Sequence, residues 1–594
     1  MPREIGWSTE SYLLAEIKKL LARQGGGGGG GGGTVTSVAT TGPLTGGPIT
    51  TLGTIGITQS GAASDGYLSS TDWTTFNNAA NAAVIRVGTG TGSSVRCGNS
   101  NTASGNYSTI SGGQNNTACA SKSTIGGGQS NTTSASYSTI GGGGSNTVSS
   151  GYSTIGGGFF NIVSGTYTTV SGGYTNTACA DRSTIGGGQS NSASGNYATI
   201  SGGRNNNACG ISSTISGGYN NTISGYYATI GGGSNNLANG ACSTIGGGSG
   251  NAASGSYTAV GGGFANTAIG LFGTVSGGYS NSAYGPYSTV GGGQSNYASG
   301  CYSKIGGGQS NNAGGNHANV GGGCSNNTSA TFATVGGGAT NAACGQASTI
   351  SGGFFSRAIG CYSTISGGYG NCASGDWSTI SGGYTNTANG NYATVGGGTN
   401  NGANGLFGTV GGGICNTACG SYATIGGGQS NTASGYYATV SGGNNNQASG
   451  YVATIGGGYN NQVSTSYATV GGGFSNIACG NGSTIGGGYG NTASGYCYPT
   501  ISGGCFNTAS GYYTVIGGGQ NNTASGYSSG ILGGTNNIAC CPTSFIVGTS
   551  ITTDRSCATF VNNLSIKNIP TSGAGLPSGS VWKDTAAGNV LKIV

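Results

Sequence analysis

Ile425-Gly426-Gly427-Gly428-Gln429-Ser430-Asn431-Thr432-Ala433-Ser434-Gly435-Tyr436-Tyr437-Ala438-Thr439 is one copy of a fifteen-residue unit, and Val440 opens the next. An Ile or Val recurs in this register at 95, 110, 125, 140 and every fifteenth residue to 485. One extra residue near Pro499 shifts the phase, and the series resumes at Ile501, Ile516, Ile531, Ile546 and Val561. Of these 32 aliphatic positions, the first 30 are each followed six residues later by Asn, with Ser356 the single exception. A fixed period of this kind marks an architecture in which each unit packs only on its neighbours.

Counting each copy from its Ile or Val as position 1, the unit predicts two strands and two turns. Positions 12 to 15 and the next anchor alternate with period two, so the small residue at 14 shares the buried face with the anchor. Tyr at 13 and Thr at 15 fall on the opposite face. Positions 7 to 11 read as a second strand with the Ala at 9 facing inward. Gly at 3 and 4, often also at 2, suits a turn where a side chain would clash or φ is positive. Asn at 7, as in Asn131, Asn191 and Asn431, suits a turn corner and tolerates the left-handed conformation. The fold class expected is all-β: a parallel β-solenoid, or β-roll, of about 31 fifteen-residue coils, with Ile110, Ile125, Ile140, Ile425, Val440 and Ile455 among its core anchors. With coils stacked at ~4.8 Å, the rod is roughly 150 Å long.

Composition agrees with a repeat and excludes several alternatives. Gly accounts for 136 of 594 residues and charged residues for 4%, which fits neither an average globular chain nor a charged disordered one. Collagen is excluded, because Gly does not fall at every third position and Pro totals eight. The net charge of +6 is spread thinly with no basic run in the repeats, so no nucleic-acid partner is expected. No stretch reaches the ~18 apolar residues of a membrane span, so no membrane insertion is expected.

The flanks divide the remaining chain. Residues 1–24 read as a short amphipathic α-helix capped by Ser8 or Thr9, with Leu13, Leu14, Ile17, Leu20 and Leu21 on one face. Too short to be stable alone, it is expected to self-associate or to dock the chain on a tail or capsid protein. Residues 25–33 are nine consecutive glycines, a flexible tether. Residues 34–94 form a Thr/Gly-rich segment with β-type runs such as Thr34-Val35-Thr36-Ser37-Val38 and Ile55-Gly56-Ile57, and residues 95–561 are the repeat array. Residues 562–594, with two short strand runs, are expected to cap the far end. Lys18 and Lys19 interrupt the first apolar stretch, so a secretion signal is not expected there.

The segment Asn191-Ser192-Ala193-Ser194-Gly195-Asn196-Tyr197-Ala198-Thr199-Ile200 and its variants resemble the head repeats of YadA-like trimeric adhesins. The resemblance implies a trimeric, left-handed roll used for adhesion. The thin core of each coil points the same way, since burial between chains would supplement it. The chain is expected to depart from that family, with no signal peptide expected at its start and a C-terminal segment of 33 residues expected to be too short for a membrane barrel. Gly66-Tyr67-Leu68-Ser69-Ser70-Thr71-Asp72-Trp73-Thr74-Thr75-Phe76-Asn77 and Ile5-Gly6-Trp7-Ser8 resemble segments of phage tail fibres and other virion fibres. The closing stretch from Asn568 to Val594 is similar to the ends of many phage structural proteins.

Catalytic chemistry is not expected. Before the final coils the array holds only two acids, Asp181 and Asp376, 13 coils apart, whereas a glycan-cleaving pair needs carboxylates within about 10 Å. His317 is the single histidine, with no acid nearby in sequence, and the cysteines form no CxxC, so neither a metal nor a cofactor is expected. Seven cysteines occupy position 10, where Ser is usual, and read first as its substitutes. Tyr at position 13 (Tyr107, Tyr197, Tyr227, Tyr422, Tyr437, Tyr467) is the candidate binding residue. Its rings would form an intercoil ladder or stack on sugars of a host surface. The expected function is a structural and adhesive virion fibre, on the virion surface after assembly in the host cytoplasm. An extracellular structural filament is the alternative, and a glycan-degrading tailspike ranks below both.

Overall fold

The computed structural model describes residues 85–96 and 100–563, together with 44–45, 56–57, 71, 74–75, 569–578, 580–584 and 590–593. The proposed helix with Leu13, Leu14, Ile17, Leu20 and Leu21, the glycine tether and Thr34–Val38 lie outside the described residues. Among the described residues the chain is an all-β parallel solenoid of about 31 coils with essentially no helix.

Each coil contributes two two-residue strands. Thr at 15 and the following anchor pair in register with the next coil, as Thr139 with Thr154 and Ile140 with Ile155. Positions 8 and 9 build a second parallel sheet, as Thr177 with Ser192 and Ala178 with Ala193. A single parallel bridge at position 5 runs up a third side, for example Gln114 to Gln129. Side chains alternate as the period-two reading requires. Anchors such as Ile125, Ile425 and Val440 and position-9 alanines such as Ala193 and Ala433 are completely buried, and so are Ala198 and Ser183 at position 14. This core closes within one chain. Interchain burial is therefore not a requirement set by the core.

The strands are shorter than the sequence pattern indicates. Tyr137 has φ of 59° and Ser130 a φ of 57°, and positions 13 and 6 repeat this left-handed conformation along the rod. Positions 12 and 13 are therefore a corner, and the strand starts only at Thr139. For non-glycine residues such corners cost roughly 1–2 kcal/mol each. The stack offsets that cost: Tyr137 N–H donates to Ser121 O of the preceding coil at 3.0 Å, and Ser130 N–H to Gln114 O at 2.9 Å.

Asn at position 7 does not take the left-handed corner; position 6 does. Asn131, Asn191 and Asn431 are instead buried, and their side chains form a spine. The Asn131 amide Nδ2 donates to Gly127 O in its own coil at 3.0 Å and to Gly143 O in the next at 2.9 Å. Its Oδ1 accepts from the backbone N–H of Asn146 at 3.0 Å. One buried amide thus satisfies several backbone groups that a tight turn would orphan. Gly at position 4 completes the turn: Gly428 has φ of 93°, and a Cβ there would lie 2.0 Å from Gly443 O.

Both ends depart from the repeat. The antiparallel strand Ile85–Val87 covers the edge of Ser94–Arg96, pairing Arg86 with Val95. The extra residue near Pro499 lies in the corner between Gly495 and Tyr498, so that Ala493 pairs with Ala509 sixteen residues on. After Ile546 the turn loses a residue. Phe560, not Val561, then stands opposite Ile546 and packs on the core, so the anchor assigned to Val561 moves by one. Beyond it, Val581–Asp584 and Val590–Ile593 pair as an antiparallel hairpin, matching the two short strands expected there.

Candidate functional site: the exposed aromatic columns

With aliphatic side chains inside, aromatic ones line the outside. Every position-13 tyrosine named from the sequence sits in the left-handed corner, which points its ring away from the core. Tyr107 and Tyr227 are the most exposed of the six, at 62% and 65%, and Tyr197, Tyr437 and Tyr467 are also exposed, whereas Tyr422 is half-buried.

In-register coils place these rings one above another. Tyr137, Tyr152 and Tyr167 stack with centroids 4.8 and 4.9 Å apart. A longer run passes from Tyr257 through Phe272, Tyr287, Tyr302 and His317 to Phe332, with every ring within 5.0 Å of the next. His317 thus serves as one ring of the column. Tyr422 and Tyr437 are brought together at 4.8 Å. Tyr467 meets Tyr451 edge-on, and Tyr227 stands alone between the position-13 residues Ser212 and Cys242. Inside a stacked run each ring face is covered by its neighbours, so only edges, hydroxyls and terminal rings face solvent.

Cations interleave with the rings. The Arg182 guanidinium lies 5.7 Å from the Tyr167 ring and 5.2 Å from the Tyr197 ring, filling a position-13 slot, and hydrogen-bonds the Tyr197 hydroxyl. Lys122 Nζ donates to the Tyr137 hydroxyl at 2.8 Å, and this bond holds its ammonium above the ordinary lysine range.

Asp181 and Asp376 are structural. Asp181 Oδ1 accepts the backbone N–H of Thr166 at 2.8 Å, and Asp376 Oδ1 that of Cys361 at 2.8 Å. Cys119 and Cys179, at position 10, take the place of serine in bonding as well as in sequence. Cys119 Sγ donates to Thr133 O, as Ser149 Oγ does to Val163 O. All 17 described cysteines are free thiols, and burial pushes the Cys372 and Cys479 thiols up.

The sequence reading missed a second aromatic column at position 5. Phe264 and Tyr279 stack there at 5.3 Å, Tyr369 and Tyr384 at 4.9 Å, and Tyr459 and Phe474 at 5.0 Å. The signal was available, because aromatics recur immediately after the glycine turn. It is diluted by Gln, Ser and Thr at the same position in other copies.

Among the described residues, no three His, Cys, Asp or Glu side chains gather as a metal site, and no helix is long and apolar enough to cross a membrane. No known family pattern matches the sequence, and no curated protein is similar to it, so its own geometry carries the functional reading.

Proposed function

We propose that the chain is a structural and adhesive fibre of a virion, anchored through residues 1–24 to a tail or capsid protein. It presents its far coils to a glycan or protein of the host surface. The observation that carries this reading is the uninterrupted stack itself. Its core is sealed within each coil while its aromatic side chains face solvent, an arrangement suited to reach and contact. The strand Ile85–Val87, which covers the first coil's edge, supports a discrete rod over end-to-end filaments. A homotrimer is part of the proposal. Its support is that the rod exposes two separate aromatic columns, at positions 13 and 5, so that one can be covered in a bundle of parallel rods while the other stays open to the host.

Two experiments test it. Deleting residues 1–33 should leave the rod folded and unable to join its particle; incorporation of the truncated rod would refute the anchoring role. Sedimentation should give three times the chain mass of 56.8 kDa, and a monomer would end the trimer.

A further inference from the structure

We propose that the surface of the coils spanning residues 430–477 holds a binding groove for a neutral oligosaccharide. A groove of about 280 Å³ runs along the rod there, between the side chains of positions 6 and 8 and over the buried Asn446 and Asn461. Its middle is walled by amides, Asn445 and Asn460 at position 6 and Gln447 and Gln462 at position 8, and its ends by hydroxyl side chains and Ile477. These two glutamines are the only ones at position 8 in the array, where Thr is the common residue, and they fall in consecutive coils.

The amides are aligned and still have capacity. Asn445 Nδ2 donates to Asn460 Oδ1 at 2.9 Å, and Asn460 Nδ2 donates to Ser475 Oγ at 3.0 Å. Gln462 Nε2 also donates to Gln447 Oε1, at 3.5 Å. Each primary amide offers two donor hydrogens and two acceptor lone pairs, so capacity remains on all four side chains. The stacked rings of Tyr459 and Phe474 stand at position 5, next in sequence to the groove wall. Elsewhere on the rod side chains at these two positions touch, as Phe160 at position 6 does Tyr174 at position 5, with ring centroids 5.7 Å apart.

The ligand class follows from the chemistry. Residues 377–553 contain no Lys, Arg, His, Asp or Glu, so nothing near the groove would neutralise a charged ligand. A polyol meets rows of amide donors and acceptors with hydroxyls that are both, and its C–H faces suit aromatic rings. Partners repeat at the coil rise of ~4.8 Å, which suits a chain of sugars better than a single one. A peptide adding as a strand is not accommodated, because Gln447 already pairs with Thr432 on one side and Gln462 on the other. The assignment deepens the adhesive reading and rests on it for the source of the sugar, while the groove alone defines the site.

Saturation-transfer NMR on the full chain tests it, with malto-, cello-, chito- and manno-hexaose as probes and oligogalacturonate as the anionic control. At least one neutral hexaose should receive saturation, with affinity unchanged from about 0.05 to about 0.5 M NaCl. Affinity should fall about tenfold or more in Gln447→Ala/Gln462→Ala, a loss of one to two hydrogen bonds, and stay unchanged in Thr177→Ala, at position 8 of a distant coil. Circular dichroism should show that both variants fold. Saturation of none of the neutral probes, saturation only of oligogalacturonate, or equal affinity in the folded double variant would overturn the groove. Rod adhesion to cells is a separate readout, whose absence would refute the adhesive reading and leave the sugar-binding groove standing.

Discussion

Asn371 follows Ser356 in the buried spine, and between these two residues the relay of side-chain amides is broken. Ser356 N–H still donates to Asn341 Oδ1 at 3.0 Å, but Ser356 Oγ is buried without a partner. Asn371 keeps its bonds to Gly367 O and Gly383 O and has no amide oxygen below it. Ser356→Asn should therefore stabilise the rod by about 1–2 kcal/mol, the worth of restoring buried hydrogen bonds. Hydrogen exchange should slow in the coils on either side of residue 356; unchanged or faster exchange there would contradict the spine's role.

Adjacent glycines in one turn should respond oppositely to a methyl group. At Gly427 an added Cβ meets nothing within 4 Å, whereas at Gly428 it meets Gly443 O at 2.0 Å with φ of 93°. Gly427→Ala should leave thermal unfolding almost unchanged. Gly428→Ala should cost more than about 3 kcal/mol, from overpacking added to backbone strain. Equal melting temperatures for the two variants would mean that the turn is not held this tightly.

Buried serines at position 14 fall into two sets. Ser183 Oγ donates to Ala180 O at 2.7 Å, while Ser213 and Ser363 have buried hydroxyls without partners. Ser363→Ala should be neutral or stabilising, because Ala already occupies position 14 in other coils, as Ala198 does. Ser183→Ala should lose about 1 kcal/mol. Chemical denaturation of the two variants should place them on opposite sides of the parent or at least separate them in this order.

Stacked rings at position 13 should contribute to stability through both faces. Tyr152 lies 4.8 Å from Tyr137 and 4.9 Å from Tyr167, so Tyr152→Ala removes two stacking contacts. At about 0.5–1.5 kcal/mol per aromatic pair, the loss should reach about 1–3 kcal/mol. Tyr227→Ala, which removes a ring without stacked neighbours, should cost less. The comparison is made by thermal unfolding and near-ultraviolet circular dichroism.

Much of this architecture was legible because the repeat averages away local noise. Ile125 and Ala193 are buried as the alternation requires, since a two-residue period leaves no other face for them. The corner residues were not legible. Tyr137 ordinarily favours a strand, and only the stack's backbone bonds hold it at positive φ. From sequence alone Asn131 reads as a corner residue, because isolated turns use Asn that way. Its role as a spine depends on the next coil presenting the same amide, a cooperative property of the assembled rod. Phe560 was missed because the shortened final turn is invisible while Val561 still fits the count. Of the candidate surface, the position-13 rings were found from sequence. The groove was not, because Gln447 and Gln462 look like ordinary polar variation until stacking lines them up.

The sixteen-residue coil between Ile485 and Ile501 has a consequence for how the chain finds its register. Identical coils invite slippage: a chain displaced by one whole unit would rebuild nearly every contact described above, and nothing local would expose the error. The extra residue at the Gly495–Tyr498 corner and the shortened turn after Ile546 break that degeneracy, because a coil of unequal length stacks well only against its own neighbours. They act as fiducial marks near one end, fixing the frame in which the preceding 26 interchangeable coils are counted.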